Sequence, residues 1–260
     1  SFTPRGDAVS LGVHESQSRF WENQVGRTPA FWKVVLPWFK EHFPESPDWT
    51  PEELNKIANC VEPGFIRVEA DEITYNLHIM LRDELEKKIF NDNLSVDEIP
   101  VTWNEMFKEW FGIEVPEDRL GCLQDIHWSM AAFGYFPTYT LGNLYAAQLL
   151  DAMGEELGDV DDIVESGNWQ PMLDWLRAKI HQEGSKFTPS ELIQNATGKL
   201  FIDNNSSGGD LFLRANDDVI IRVDGNDTVL TAQTGGIDVT GHTETDTLNV
   251  SGISTLGTLQ

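Results

Sequence analysis

The pattern of apolar residues changes once along this chain, near Lys199, and this change limits the possible folds more than any other feature. Before Lys199, apolar residues recur at three- and four-residue spacing, which is typical of amphipathic helices. After it, the sequence is rich in Asp, Asn, Gly and Thr, and short alternating runs predict strands joined by turns. We therefore expect a mainly α fold, with a helical domain over residues 1–199 and a short β-repeat extension over residues 200–260.

Helix boundaries are indicated by repeated capping patterns. Thr50-Pro51-Glu52-Glu53 and Thr188-Pro189-Ser190-Glu191 each place threonine at the N-cap, proline at the first helical position and glutamate at the third. Asp7 or Ser10 is suited to cap a helix that runs to Gly26. The remaining helices are predicted at 29–36, 70–90, 101–111, 144–153, 161–164 and 170–182. In the helix over 70–90, the residues expected to face the core are Ile73, Leu77, Met80, Leu81, Leu85 and Ile89; Leu54, Ile57 and Ala58 are expected to do so in the helix after Thr50.

Short strands are predicted beyond Lys199, at a spacing near ten residues that suggests stacked β-repeats. The predicted strands are 211–214, 219–223, 228–231, 237–240 and 248–250, with turns at Asp224–Asp227 and Gly235–Gly236. Because this segment has little bulky apolar material, we expect it to need self-association or a partner to fold.

Composition excludes several functional classes. The net charge is −25, from 43 acidic and 18 basic residues, so the chain repels phosphate backbones and is not expected to bind nucleic acid. No run of about 18 apolar residues predicts a membrane span. Cys60 and Cys122 are too few for a disulfide framework, and we expect two buried free thiols in a reducing compartment. The first residues show no signal-peptide pattern, so we expect a cytoplasmic location.

The first candidate site is the stretch His14-Glu15-Ser16-Gln17. It places a carboxylate beside an imidazole on a predicted helix. The spacing of Glu15 and Arg19 by itself indicates an ordinary i,i+4 salt bridge on the helix surface. The stretch therefore has no assigned function without the later motifs.

Two further candidate sites carry Arg67 and the pair Asp125 and His127. The fork of Arg67 suits a carboxylate group of a ligand, although an internal pair with Asp71 or Glu69 fits the spacing as well. Asp125 and His127 suit a carboxylate–imidazole relay. A buried histidine bonded to a backbone carbonyl is the alternative for His127.

Two tyrosines, Tyr135 and Tyr139, follow the turn at Gly134. A tyrosine hydroxyl can donate a hydrogen bond to a developing oxyanion. Aromatic side chains after a turn are more often part of the core. Both interpretations, a catalytic donor and a core aromatic, therefore stay open for these two tyrosines.

Taken in order, these motifs resemble a known family. The matching stretches are His14-Glu15-Ser16-Gln17, Ile66-Arg67-Val68-Glu69-Ala70-Asp71 and Gly121-Cys122-Leu123-Gln124-Asp125-Ile126-His127-Trp128. Over residues 7–199 the chain is similar to the C-terminal part of the carboxypeptidase Taq family of zinc metallocarboxypeptidases. The expected fold is therefore a fragment of a helical metallopeptidase-like domain.

The resemblance implies specific roles for these residues. The family removes single amino acids from peptide C-termini, uses zinc or another divalent metal such as cobalt, and is dimeric. Glu15 would be a metal ligand, beside the two histidines of an H-E-x-x-H helix. Arg67, Gln124 and Asp125 would bind the substrate, with Arg67 on its terminal carboxylate. His127, Tyr135 and Tyr139 would act at the scissile carbonyl.

The sequence departs from the family in two places. Its histidines, at 14, 42, 78, 127, 181 and 242, include no H-E-x-x-H, so we expect a chain that is incomplete and inactive alone. Residues 200–260 resemble β-repeats of bacteriophage tail fibres, which associate as trimers. The alternatives to a peptidase are therefore a phage-type structural protein, located in the virion, or two unrelated genes joined in one reading frame.

Overall fold

The computed structural model describes residues 4–198 and the backbone of three strands, 219–223, 227–233 and 236–238. The chain divides into two compact units, Ser1–Phe201 and Ile202–Gln260. In the first unit, the described residues form helices joined by short loops and turns. The prediction of a mainly helical fold is confirmed for this part of the chain.

Helices of varied length build the first unit. They are α1 (Leu11–Arg19), α2 (Pro29–His42), α3 (Pro51–Ala58), α4 (Glu72–Asn91), α5 (Ile99–Phe111), α6 (Pro137–Leu157), α7 (Val160–Glu165), α8 (Gln170–Leu176) and α9 (Pro189–Thr197). The π-helical segments Phe20–Val25 and Arg177–His181 continue α1 and α8. Short 3₁₀ helices lie at Pro4–Gly6, Arg67–Glu69, Val96–Glu98, Asp118–Leu120 and Trp128–Met130. Within the described residues, no helix has the length and apolar character that a membrane span requires.

The predicted capping residues occupy the predicted positions. Ser10, rather than Asp7, caps α1 by accepting a hydrogen bond from the backbone N–H of Val13. Thr50 and Thr188 each form a complete capping box with the glutamate three residues later. These local hydrogen bonds satisfy N–H groups that have no partner inside the helix, which explains why sequence alone located the helix starts at Thr50 and Thr188.

The start of α6 differs from the prediction. The helix begins at Pro137, not at Leu144, and it runs through Gly142. Proline at the first helical position lacks only an N–H that has no partner there. Gly142 weakens a helix when it is considered alone, but here it lies where α6 packs against α1, and this packing offsets its low helix propensity.

Two hydrophobic clusters form most of the core. One joins α1, α6, α8 and α9, and its fully buried members include Phe20, Leu149, Met172, Leu176 and Ile193. The other joins α4 and α5 to the loop after Gly121, through Leu81, Leu85, Trp103, Phe107 and Cys122.

Several predicted core residues are exposed instead. Ile57, Ile73 and Met80 are 57%, 68% and 52% exposed. On α4, the face that contains His78 and Arg82 is buried, whereas Ile73 and Met80, seven residues apart, lie together on the opposite face of the helix. The prediction of two buried thiols was wrong for Cys60, which is exposed, and right for Cys122.

The described strands of the second unit form a three-stranded antiparallel sheet in the order β1 (Val219–Val223), β2 (Asp227–Gln233), β3 (Gly236–Asp238). Val219 pairs with Ala232, and the register shifts between Ile221 and Arg222. Consecutive strands therefore pair as hairpins, and this pairing does not show the predicted stacked repeat. The predicted strands 211–214 and 248–250 lie outside the described residues.

Candidate functional site

A buried carboxylate, Asp125, lies between two arginines. Arg67 donates to Asp125 Oδ1 through Nε at 3.0 Å and Nη2 at 2.7 Å. Arg82, on α4, donates through Nε to Asp125 Oδ2 at 2.6 Å. The three side chains are 7%, 0% and 11% exposed for Arg67, Arg82 and Asp125. We call these residues, together with His127 and Tyr139, the Asp125 cluster.

The charges of the two arginines outweigh the effect of burial on Asp125. Burial acts to raise the pKa of its carboxyl, but the positive charges and hydrogen bonds of Arg82 and Arg67 hold the pKa below its usual value. Burial is also the main reason that the pKa of Arg82 falls to about 10, against the opposing charge of Asp125. The cluster is therefore an ionised group of two cations and one anion at neutral pH.

Arg67 is engaged on every side in this arrangement. Its Nη1 contacts the hydroxyl of Tyr75 at 3.1 Å, and its backbone N–H donates to Gln124 Oε1 at 2.8 Å. The internal partner is Asp125, not Asp71 or Glu69, because Asp71 instead caps α4. The binding of a substrate carboxylate by Arg67 stays a prediction, and this geometry gives the side chain a structural task as well.

The amide of Gln124 is used to join two loops. Its Nε2 donates to the carbonyl oxygens of Phe65, Leu120 and Gly121 at 2.9–3.1 Å. Together with the bond to the backbone of Arg67, these contacts hold the 3₁₀ helix Arg67–Glu69 against the loop that carries Asp125. The predicted contact of Gln124 with substrate is not tested by this geometry.

His127 and Tyr139 form the accessible edge of the Asp125 cluster. His127 Nε2 lies 3.0 Å from the Tyr139 hydroxyl, while His127 Nδ1 lies 3.8 Å from Asp125 Oδ1. The partner of the imidazole is thus a tyrosine hydroxyl and not a backbone carbonyl. Tyr135 packs beside both, with ring centroids 5.3 Å from His127 and 5.5 Å from Tyr139. The three residues predicted to act at the carbonyl therefore lie together.

Glu15, from α1, reaches the same region. Its Oε2 accepts a hydrogen bond from Ser18 Oγ at 3.1 Å. Burial is the main cause that raises the pKa of Tyr139 to about 12, and the negative charge of Glu15 acts in the same direction. The tertiary structure thus brings the His14–Gln17 motif close to residues that follow it by more than 120 positions.

The predicted salt bridge between Glu15 and Arg19 is replaced by other contacts. Arg19 is 7% exposed, donates to Asn143 Oδ1 at 2.6 Å and pairs with Glu22 at 3.1 Å. Its guanidinium carbon lies 4.2 Å from the ring centroid of Tyr75. Arg19 therefore links α1 to α4 and α6. Glu15 instead accepts a hydrogen bond from Ser18.

The residues present do not form a metal centre by themselves. Among the described residues, no group of three or more His, Cys, Asp or Glu side chains is arranged to hold an ion. Glu15 is the ligand that the family resemblance assigns to this sequence, and one carboxylate does not provide the three protein ligands of a catalytic zinc site.

Sequence reasoning missed a polar stripe on α4 that supports the site. His78, Arg82 and Glu86 are all buried and follow one another at four-residue spacing. Glu86 accepts from Trp128 Nε1 at 2.8 Å and from the backbone N–H of Gly134 at 2.7 Å, so it anchors the segment that follows His127. The four-residue spacing was the available signal, but charged residues in such a stripe usually indicate a solvated face.

The sequence profile described as carboxypeptidase Taq (M32) metallopeptidase matches residues 1–205. The chain therefore belongs to this family, which is a family of metal-dependent peptidases. The match covers the helical unit, and the comparisons lend no support to the resemblance of residues 200–260 to tail-fibre repeats.

Individual relatives agree with this assignment. Thermostable carboxypeptidase 1 of Thermus thermophilus is 51% identical over 197 residues, which are 76% of this chain and 39% of the relative. Carboxypeptidase 1 of Bacillus subtilis is 43% identical over 203 residues, covering 76% and 40% of the two chains. A solved structure of Pyrococcus furiosus carboxypeptidase superposes with a TM-score of 0.74 at 42% identity, covering 77% of this chain and 40% of that one. The chain spans about two fifths of the length of the curated relatives it matches.

Proposed function

We propose that this chain is part of a metallocarboxypeptidase that releases single amino acids from peptide C-termini. It would contribute one metal ligand, Glu15, and the wall of the groove that meets the reacting end of the peptide. The observation that carries the proposal is the hydrogen bond between His127 and Tyr139, 3.0 Å long, on a support of buried ion pairs close to Glu15.

The Asp125 cluster is suited to hold this pair in one orientation. Asp125 is fixed by two arginines, and its negative charge lies on the Nδ1 side of His127. This favours a proton on Nδ1, so that Nε2 accepts from the Tyr139 hydroxyl. We assign Arg67, Gln124 and Asp125 to positioning in this state, and substrate contact to Tyr139, His127 and Tyr135.

The protonation states fit a neutral hydrogen-bond donor at the site. Burial lowers the pKa of His127, in opposition to Asp125, so the imidazole is uncharged at neutral pH. With its pKa near 12, Tyr139 keeps its proton. Its half-buried hydroxyl can turn from His127 to an incoming carbonyl oxygen, and such a donor is worth about 10²–10³ in rate when it meets a developing oxyanion.

The test is a covalent fusion that supplies the missing motif. The H-E-x-x-H-containing part of a family member is joined to this chain, and cooperative unfolding verifies that the fusion folds. With zinc, we expect it to release C-terminal amino acids from an unblocked peptide. Glu15→Gln should remove zinc retention, and Tyr139→Phe should lower kcat about 10²-fold. Glu183→Gln, in an exposed pair with Lys186, is the matched control and should change neither.

Two outcomes would contradict the proposal. A folded fusion without release would exclude the assigned activity, and unchanged zinc retention in Glu15→Gln would exclude Glu15 as a ligand. The purified 260-residue chain is a separate control. We expect no release from it with stoichiometric zinc, because the two histidine ligands and the general base of the family motif are missing from the sequence.

A further inference from the structure

A chain of polar side chains joins α1, α4 and α6 and ends at the residue that follows Tyr139. Arg19 Nε, on α1, donates to Asn143 Oδ1 on α6 at 2.6 Å. Asn143 Nδ2 donates to Asn76 Oδ1 on α4 at 3.1 Å, and Thr140 Oγ1 donates to the same oxygen at 3.0 Å. We call these four hydrogen-bonded residues the Asn76 network.

The direction of every hydrogen bond in this network follows from Arg19. A guanidinium group can only donate, so Asn143 must present its Oδ1 to Arg19 and its Nδ2 to α4. This Nδ2 needs an acceptor, which is the Oδ1 of Asn76. The same oxygen also accepts from Thr140. Asn76 therefore acts in the network through one oxygen atom that binds two donors, and this task requires no N–H group.

The two residues that donate to Asn76 lie in the first two turns of α6, directly after Tyr139. Because Phe136, the residue before α6, provides no side-chain cap, the start of this helix depends on contacts with neighbouring elements. The two bonds to Asn76 are such contacts, and they tie this end of α6 to α4. A shift of this end would move the Tyr139 hydroxyl relative to His127 Nε2, from which it now lies 3.0 Å.

The residue before Asn76 fixes this part of α4 in place. Tyr75 is 5% exposed, and the guanidinium carbon of Arg19 lies 4.2 Å from its ring centroid. The Tyr75 hydroxyl accepts from Arg67 Nη1 at 3.1 Å, and its ring meets that of Tyr139 edge-to-face, with centroids 6.5 Å apart. This turn of α4 is therefore held by both α1 and Arg67, and it is a rigid support from which Asn76 can hold α6.

We propose that Asn76 is a positioning residue for Tyr139. Its Oδ1 holds the start of α6 so that the Tyr139 hydroxyl stays within hydrogen-bond reach of His127. The inference rests on the proposed function, in which Tyr139 meets the carbonyl group of the substrate, and it assigns Asn76 no contact with substrate or metal. Without the two bonds the first turn of α6 is free to move, and a displacement of about 1 Å in a catalytic site can cost about 10²-fold in rate.

Nitrogen NMR of the His127 imidazole in the full chain tests this positioning without turnover. The His127 signals are assigned by their loss in His127→Gln. In the parent chain we expect a single tautomer, with the proton on Nδ1 and with Nε2 accepting from Tyr139. Asn76→Leu has a similar size but no acceptor, so it should give a mixture of the two tautomers. Asn76→Asp keeps an acceptor oxygen and should keep the single tautomer.

Two further variants make the test specific. Thr140→Val removes one of the two donors and keeps the shape of the side chain, so it should change the His127 signals in the same direction but less. This variant decides the question if Asn76→Leu does not fold. Asn91→Leu, at the exposed last residue of α4, is the control and should leave the signals unchanged.

Three results would overturn the proposal. The first is a set of parent-like signals in folded Asn76→Leu or in Thr140→Val. The second is an equal change in Asn76→Asp and Asn76→Leu, which would mean that the acceptor oxygen is not what matters. The third is a mixture of tautomers in the parent chain, because there would then be no bond to Tyr139 that needs positioning.

The covalent fusion with the H-E-x-x-H part of a family member separates this inference from the proposed function. In the fusion, Asn76→Leu should lower kcat by up to about 10²-fold with little change in KM, and Asn76→Asp should restore kcat. A parent fusion without release would contradict the proposed function, whatever the NMR signals show. An active fusion whose kcat is unchanged by Asn76→Leu would overturn the positioning role alone.

Discussion

Asp125 has two tasks at the scale of single residues. It neutralises two buried guanidinium groups, and it faces the imidazole of His127. Each task depends on its negative charge, so stability and site geometry depend on the same carboxyl group.

Replacing Asp125 with asparagine should destabilise the helical unit strongly. The substitution keeps the shape of the side chain but leaves Arg67 and Arg82 buried without a counter-charge, which costs about 3–5 kcal/mol. Urea unfolding at neutral pH measures the loss. Asp174→Asn, which removes an exposed partner of Arg177, should change the unfolding free energy by less than about 0.5 kcal/mol. Similar losses in the two variants would show that the ion pairs of Asp125 contribute no special stability.

His78 makes the stability of the chain depend on pH. The side chain is fully buried, and burial, followed by the charges of Arg82 and Arg67, lowers its pKa from 6.5 to about 3. The unfolded chain therefore gains a proton as the pH falls through 6.5, whereas the folded chain does not, and acid favours unfolding. The contribution of uncharged His78 to the unfolding free energy is fully present above pH 6.5. It is lost progressively as the pH falls from 6.5 towards 3.

The His78→Leu variant isolates this contribution. Between pH 7 and pH 5 the parent chain should lose about 2 kcal/mol of unfolding free energy through His78. The total loss in the variant over this pH range should therefore be about 2 kcal/mol smaller than in the parent. Denaturant unfolding at both pH values measures the difference. His14→Gln, at an exposed position, is the control and should keep the pH dependence of the parent. Identical pH dependence in His78→Leu and the parent would show that His78 titrates normally.

At the scale of elements, the site depends on how closely α1 and α6 pack. A Cβ atom on Gly142 would lie 2.8 Å from Cγ of Glu15 and 3.2 Å from its backbone carbonyl carbon. Glycine at this position therefore lets α6 approach the backbone of α1. The same approach brings Glu15 near Tyr139, which is on the first turn of α6.

Gly142→Ala should separate these two helices. The added methyl group forces a shift of α1 or of Glu15 and costs about 1–3 kcal/mol. Gly154→Ala in the same helix is a matched control, because its nearest neighbour would be Val160 Cγ2 at 3.9 Å. This control should be neutral or stabilise by about 0.5–1 kcal/mol through better helix propensity. Thermal unfolding of both variants measures the contrast, and equal stability of the two would mean that the close packing is not required.

At the scale of the whole molecule, the described hydrophobic core lies in the helical unit. The family match ends at residue 205. The predicted domain boundary at residue 199 stays a prediction that truncation can test.

Removing residues 202–260 should leave the helical unit folded. Because the described core belongs to the first unit, we expect the truncated chain to unfold cooperatively, with a midpoint within about 2 °C of the full chain. Circular dichroism measures the transition, and sedimentation of both chains measures their oligomeric state. Loss of cooperative unfolding would show that the helical unit needs the second. A trimer formed by the full chain alone would favour the predicted role of the tail in assembly, and a dimer of both chains would favour association through the helices.

The sequence by itself determined the local features of this protein. Capping at Thr50 and Thr188 depends on residues within four positions, so short-range chemistry was enough to locate these helix ends. The choice between Asp7 and Ser10 for the first helix was left to the structure. The ordered motifs around Glu15, Arg67 and His127 were enough to indicate the family.

Only the tertiary structure decided the partners of the site residues. Whether Arg67 pairs with Asp71 or with Asp125 depends on contacts across 58 positions, and the burial of His78 depends on the elements packed over α4. Gly142 has a low helix propensity, and its place inside α6 follows from the approach of α1. The physical reason is that charge pairing and burial depend on distances in space, which spacing along the chain does not fix once the elements have packed.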